Sequence, residues 1–574
     1  MDAILLVIVT FTAYIVAYNT YGRFLARKIF KLSDETQPPS KEFEDGKDFV
    51  PTKKWIIFGH HYTSIAGTGP IVGPAIGIIW GWVPAILWIL FGSILMGAVH
   101  DFGALVVSMR NRGVSIAETT SRYISSRVKY VFFIIVFLAL LIIIAIFGLV
   151  IAIIFKMYPE SVFPVWMQIP IAITLGCILY RKTGSIVLPT FIAILLMYTT
   201  VVAGTVLPFS MPDMGIPATG IWTIFLLIYA FIASCLPVTT LLQPRDYMNA
   251  WQLFIAMGLL LLSIIFSALF GDLHLVAPAV NLSPEGAPPI MPFLFITIAC
   301  GAISGFHSLV SSGTSSKQVA SESDAKFVGY GSMLLEATLS TVVIIAVGAG
   351  IGLLANDSGL IGTDAWNHHY ASWSCAKGLG AKIGAFVNGS ANMLTFIGIP
   401  LTLGKVIMGV FVASFTGTTL DTATRIQRYV VAELFTDMKI NFMSNKYIAA
   451  AFAVITAFLL AFATGANGKG ALKLWPLFGS INQLLAALTL LVITVYLKEK
   501  GGKKYFITFI PFVFMIIITL WSTAINESDF MDKGNWLLAI INGVTFILAL
   551  WIIVESGLTL VKKRKSTNRF QNNS

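Results

Sequence analysis

The residues that could do chemistry in this chain stand mostly inside apolar runs. Of its seven histidines, His60 and His61 open the stretch FGHHYTSIAGTGPIVGPAIG at residues 58–77. His307 lies in GAISGFHSLVSSGTSSK, residues 301–317. Asp101 follows His100, Glu336 sits in SMLLEATLSTVVIIAVG, and Lys405 falls within a further apolar run. An ionisable group at the centre of a membrane helix costs ~2.5–3.5 kcal/mol on insertion scales, so its default reading is functional. The chemistry such groups offer is proton carriage, ion pairing or contact with a polar solute. Desolvation disfavours a charged carboxylate, which suits Glu336 to loading and releasing a proton, with Asp101 and His307 as further carriers. An ion pair with a carboxylate such as Glu336 is the competing reading for Lys405. His60 and His61 diverge by ~100° on a helix. Only one of them faces a cavity, as a solute or proton contact, and no metal pair is expected.

The backbone around these groups is also unusual. Pro70 and Pro74 cannot donate to the carbonyls four residues earlier, and Gly67, Gly69 and Gly73 loosen the same stretch. Freed carbonyls in a bilayer must find partners or line a wet cavity, and transporters use discontinuous helices for that purpose. Close helix packing through the glycines is the plainer alternative. Thr63, Gly67 and Gly69 are therefore candidate solute contacts. So are Ser304, Ser311, Ser312 and Thr314, where polarity and glycines coincide. The rival reading of the hydroxyls is back-bonding to their own helix. Arg245–Asp246 in LQPRDY, and Asp421 with Arg425 and Arg428 in LDTATRIQR, stand at expected span ends. Each set is either a gate at the inner mouth or a local ion pair.

The elements that must hold these groups follow from composition. Of 574 residues 57% are hydrophobic and only 11% charged, with a mean hydropathy of +0.84. A soluble domain carries ~25% charged residues. The chain is therefore an all-α polytopic membrane protein. Runs of ~20 apolar residues predict about 15 spans: 2–19, 57–79, 82–108, 130–155, 164–180, 185–208, 219–241, 251–271, 291–312, 327–354, 392–417, 447–464, 474–496, 505–523 and 536–560. Loops after odd-numbered spans hold 31 of the 38 basic residues, and the opposite side holds 6. By the positive-inside rule the N-terminus is outside and the C-terminus cytoplasmic. The same asymmetry explains the net charge of +11 without a nucleic-acid partner. One transporter domain covers 1–574, with 20–54 as a cytoplasmic linker and 561–574 as a basic cytoplasmic tail. The loop at 356–380 is expected outside, where it could fold over the mouth. The four cysteines form no redox or zinc motif, and no sequence feature sets an oligomeric state.

No GxxxxGK[ST], HExxH or GxSxG is present, so an ATPase or a membrane metalloenzyme is disfavoured. The chain is read as no enzyme, with no cofactor and no metal. The blocks GHHYTSIAGTGPIVGP, Asp101–Phe102, LQPRDY, GAISGFHSLVSSGTSSKQVASESDAKFVGYGSMLLE, TTLDTATRIQRY and PLFGSINQLLA resemble the carbon starvation protein A (CstA) family of bacterial inner-membrane transporters. The resemblance spans most of the chain. It implies a fold similar to the LeuT type within the amino acid–polyamine–organocation superfamily. It further implies uptake of peptides or pyruvate, driven by protons, in the starvation response. A nutrient sensor or channel is the alternative. Two expectations bear directly on the site: the second and ninth spans are both interrupted near mid-membrane, and both face one cavity.

Overall fold

The computed structural model describes residues 2–181, 186–212, 214–355 and 358–561. The tail at 562–574, the loop at 182–185 and Asn356 and Asp357 lie outside the described residues. The described chain is helical, with one isolated parallel bridge between Thr52 and Val319. The first half comprises α1 (Asp2–Ile29), the pair α2 (Lys54–Ile65) and α3 (Gly69–Trp80), α4 (Trp82–Met109), α5 (Ser126–Met157), α6 (Pro159–Leu179), α7 (Val187–Gly204), α8 (Ala218–Cys235) and α9 (Leu242–Phe270). There follow α10 (Ile290–Thr297) and α11 (Gly305–Gly313), α12 (Glu322–Gly352), and α13 (Gly362–His369) and α14 (Leu379–Leu394). The chain ends with α15 (Leu401–Asp437), α16 (Lys446–Phe462), α17 (Gly470–Glu499), α18 (Phe506–Asp532) and α19 (Trp536–Leu558).

Among the described residues twelve helices are long and apolar enough to cross a bilayer, or thirteen if the bent pair α2/α3 is one span. The expected figure of about 15 is larger by three. Those three are the interrupted spans α2/α3 and α10/α11, whose halves are short, and the shorter apolar helix α16. Two boundaries also differ from the hydropathy reading. The apolar run ending near 417 does not end a helix, because α15 continues to Asp437. Threonine hydroxyls at 416, 419 and 424 bond carbonyls one turn back, and no proline interrupts the 37 residues. At 1.5 Å per residue α15 is about 55 Å long, far beyond a ~30 Å hydrocarbon core. Likewise α1 runs on to Ile29, so part of the expected linker is helix.

The two interruptions have local causes. α2 stops at Ile65 and α3 starts at Gly69 after a 43° bend. The break thus precedes Pro70, which sits in the first turn of α3, where a missing N–H costs nothing. Pro74 is accommodated inside α3. Between α10 and α11, Gly301 adopts φ +90°, a conformation that favours glycine. Ser311, Ser312 and Gly313 were expected to belong to this break. They are helical instead, in α11. α2 packs along α9, α3 against α12, α11 between α4 and α17, and α5 against α15.

Residues 39–52 are more than a linker. Val50 N–H donates to the Lys317 carbonyl at 3.1 Å and Thr52 N–H to that of Gln318 at 2.9 Å. Ser40 Oγ donates to the Val319 carbonyl at 2.6 Å. The segment forms a strap over the face that carries the basic loops. On the opposite face Tyr370, just after α13, donates to the Ala75 carbonyl at 2.5 Å, and Trp373 lies 5.4 Å from Trp80. Tyr370 and Trp373 therefore cover the C-terminal end of α3.

Candidate functional site

The two broken helices meet directly. A Cβ on Gly69 would strike the Cys300 side chain, and one on Gly73 would lie 2.8 Å from the Thr297 carbonyl oxygen. Gly67 is held against Thr419 in the same way. The carbonyls released at the breaks find specific partners. Thr418 and Thr419 of α15 donate to the carbonyls of Thr63 and Ser64 at 3.3 and 3.2 Å. Ser340 of α12 donates at 3.1 Å to the Pro70 carbonyl, the acceptor that Pro74 cannot serve. Trp88 and Gln483 donate to the carbonyls of Ile298 and Phe295, each at 2.9 Å. Asn482 of α17 takes the Phe306 N–H at 2.9 Å and donates to Ser304 Oγ at 3.0 Å. These contacts satisfy the backbone that a broken helix exposes.

Around the breaks stands a chain of buried ionisable groups drawn from three helices. His100 Nδ1 is 2.8 Å from Asp101 Oδ1 on α4, and His307 Nδ1 of α11 is 2.9 Å from Asp101 Oδ2. His307 Nε2 is 3.3 Å from Glu336 Oε2 on α12. All four side chains have zero exposure. An ionised Asp101 only accepts, so each imidazole presents Nδ1–H to it. His307 then turns Nε2 to Glu336. Two bare acceptors would repel at that distance, so one of the pair carries a proton. With Asp101 ionised and one proton on the pair, the constellation carries one net negative charge. A second proton makes it neutral. An unpaired charge so deeply buried needs a counter-charge.

Burial sharpens this requirement. Among the described residues His61 Nε2, Tyr62 Oη, His100 Nε2, Ser311 Oγ and both oxygens of Glu336 make no well-formed hydrogen bond. Buried polar atoms are overwhelmingly paired in native proteins. Several of these unpaired atoms gather near the two broken helices. Of the other expected solute contacts, Thr63, Ser312 and Thr314 spend their hydroxyls on their own helix, bonding Gly59, Ser308 and Val310 carbonyls at 2.8, 2.7 and 3.1 Å. His61 Nδ1 is 2.8 Å from Ser315 Oγ.

A second charged cluster lies one layer toward the strap. His60 Nδ1 contacts Asp246 Oδ2 at 2.5 Å. Arg245 pairs with Asp421 and donates to Tyr229 Oη at 2.5 Å, while Tyr229 donates to Asp421 at 2.7 Å. The ion pairs expected within each motif do not form. Arg245 and Asp246 both belong to α9 but serve different partners, and Asp421 is joined to Arg245 rather than to Arg425. Nor is Asp421 water-accessible at a boundary. It is 1% exposed, because α15 continues past it. Arg425 reaches Asp48 of the strap at 2.9 Å, with Arg428 at 3.5 Å and the Tyr429 hydroxyl donating at 2.6 Å. Burial pushes the Asp48 carboxyl up, but the Arg425 and Arg428 guanidiniums and the Tyr429 hydroxyl outweigh it and hold it below its ordinary value. Lys405 is in the second turn of α15, near the helix start and not at mid-span, and among the described residues it forms no salt bridge. The expected Lys405–Glu336 alternative therefore falls.

Four contributors escaped the sequence reading: Cys300, Tyr229, Asn482 and Asp48. Asp48 lies in a stretch of mixed charge that no pattern singles out. Asn482 lies in the PLFGSINQLLA block, and its role depends on a partner 178 residues away.

The sequence profile of the family described as Carbon starvation protein CstA matches residues 2–522. The chain belongs to that family. It is 34% identical to the peptide transporter CstA of Campylobacter jejuni, covering 96% of this chain and 84% of the relative. It is 32% identical to the pyruvate/proton symporter BtsT of Escherichia coli, covering 92% and 82%. It is 31% identical to the peptide transporter CstA of Bacillus subtilis, covering 96% and 95%. Among solved structures, the manganese transporter of Eremococcus coleocola matches 90% of this chain and 99% of that one, at a TM-score of 0.54 and 11% identity. That likeness concerns the fold alone. The CstA-family chain thus has a LeuT-type transporter fold with discontinuous helices.

Proposed function

We propose that this CstA-family chain is a proton-coupled secondary transporter, not an enzyme, that takes up peptides or pyruvate. The names of its relatives support the solute class, since peptide transporters and a pyruvate/proton symporter both appear among them. The observation that carries the coupling is the 3.3 Å approach of His307 Nε2 to Glu336 Oε2, fully buried beside two broken helices. Loading a second proton neutralises a buried net charge, and a neutral site crosses the occluded state at lower cost. Releasing it on the other side restores the charge.

The two solute classes share a carboxylate. His61, Tyr62 and Ser311 each hold an unpartnered polar atom on the helices that flank the breaks, and they are the side chains we assign to it. The cluster of Arg245, Asp421, His60 and Asp246, with the Asp48 strap behind it, serves as the inner gate. In this reading the protein is a single transporter domain in the bacterial cytoplasmic membrane with the N-terminus outside, an orientation that the distribution of basic loops supports.

Uptake of labelled pyruvate and of a labelled dipeptide into proteoliposomes tests the reading. An inward proton gradient should drive accumulation of one of them above equilibrium. Equal uptake with and without the gradient, for both solutes, would refute it.

A further inference from the structure

One side chain at the break is not used by the transport reading. Cys300 Sγ, His307 Nε2 and a Glu336 carboxylate oxygen all lie within 4.8 Å of one another. The three come from the α10/α11 break, from α11 and from α12, so no sequence spacing announces them. Apart from a 3.4 Å contact of Cys300 Sγ with Ser304 Oγ, the three ligand atoms lack well-formed hydrogen bonds among the described residues.

We infer that Cys300, His307 and Glu336 form a binding site for a thiophilic divalent cation of the zinc class. Thiolate, imidazole and carboxylate are the donor types such an ion takes, at ~2.0–2.3 Å, and three protein ligands with an open fourth position is a recurrent arrangement. Ligand atoms around a tetrahedral ion stand ~3.3–3.8 Å apart, as those bond lengths require. The widest separation must therefore close by about 1 Å. Cys300 precedes the positive-φ Gly301 and lies outside any helix, so it can supply that movement. The outer shell is already in place. His307 presents Nδ1 to Asp101 at 2.9 Å, the carboxylate–imidazole arrangement that fixes the tautomer and directs Nε2 at a metal.

The charge balance is explicit. One divalent cation enters, while the thiol proton of Cys300 and the proton held by His307 and Glu336 leave, as metal binding to protonated ligands requires. The cation therefore takes the place of the proton held by His307 and Glu336 and blocks loading of the coupling proton. The inference rests on the proposed reading of this site only in that respect, and its test does not depend on transport.

The full-length protein, purified in detergent, is dialysed against Zn2+ and its bound metal measured. Co2+ serves in parallel for the thiolate-to-cobalt charge-transfer absorption. One ion per chain should bind in the wild type, and also in a variant with Cys177, Cys235 and Cys375 all changed to Ser. Cys300→Ser should lose the absorption band, and both Cys300→Ser and Glu336→Gln should weaken affinity by about tenfold or more. Wild-type protein that binds no ion would overturn the inference. So would a Cys300→Ser variant that keeps both band and affinity. If Zn2+ binds as stated but Glu336→Gln still accumulates solute normally, the coupling assignment fails and the metal site stands. If no ion binds but Glu336→Gln uncouples transport, the reverse holds.

Discussion

The strap over the face that carries the basic loops makes a quantitative prediction through Asp48→Asn. Asp48 is about one-quarter exposed and compensates Arg425, which is 1% exposed, with Arg428 and Tyr429 as further partners. Removing one partner of a buried pair costs ~3–5 kcal/mol, chiefly by stranding the other charge. The partial exposure of Asp48 lowers this to about 2–3 kcal/mol, because surface pairs are worth far less. These bonds hold the strap against α15, so under the proposed gate the loss falls on the inward-closed state. At 1.4 kcal/mol per tenfold, the inward-open population rises about 30- to 150-fold. A small pocket beneath the strap, lined by Ser115, Ser312, Lys317, Ile426, Tyr429 and Glu433, gives the readout. Ser312→Cys is alkylated from the cytoplasmic face of inside-out vesicles, and modification of residue 312 is followed by mass spectrometry. Adding Asp48→Asn should speed the reaction by about 30-fold or more. A rate within twofold of the parent would refute the gate assignment. The pH dependence has a definite sign. The Asp48 carboxyl is held below its ordinary value, so its contribution is complete above the free carboxyl pKa and fades as pH falls through the lowered one. Acidification should therefore open the parent and leave Asp48→Asn unchanged.

Other consequences follow from the same packing. Arg245→Ala strands Asp421 and should lower stability by about 3–5 kcal/mol, with part recovered in Arg245→Ala/Asp421→Ala; thermal unfolding in detergent measures both, and an unperturbed single variant contradicts the assigned pairing. Gly73→Ala should cost about 1–3 kcal/mol and impair uptake, because its Cβ would lie 2.8 Å from the Thr297 carbonyl oxygen. Normal melting and uptake would show that the two breaks do not pack as described. A tag at Met1 should react with impermeant reagent in intact cells and one at Ser574 should not; two tags on the same side would break the charge argument for orientation.

Much of the architecture was legible because the bilayer imposes a simple rule on composition. The two broken helices were visible as proline and glycine within apolar runs, and both are interrupted in the structure. Their packing on each other was not, since Gly69 meets Cys300 across 231 positions of sequence. Asp101, His307 and Glu336 stood out as costly residues in spans, yet their union around one proton depends on three helices meeting. Lys405 misled because a hydropathy window places a residue by its neighbours' polarity, whereas α15 begins at Leu401. The pairs proposed within LQPRDY and LDTATRIQR failed for a related reason. Local spacing names the partners available along one helix, but buried charges took partners from other elements. Asp48 had no signal at all, because a strap is defined by what it covers.

The central claim is that Glu336 carries the coupling proton, and Glu336→Gln tests it most directly. A proton moving down ~150 mV supplies roughly 3.5 kcal/mol, enough for a ~300-fold solute gradient. The amide keeps size and neutrality but cannot lose a proton. Reconstituted Glu336→Gln protein should fail to accumulate solute, with its ratio falling from that bound toward one, while counterflow of labelled for unlabelled solute persists. Accumulation at the wild-type ratio would contradict the account and move the carrier to another group.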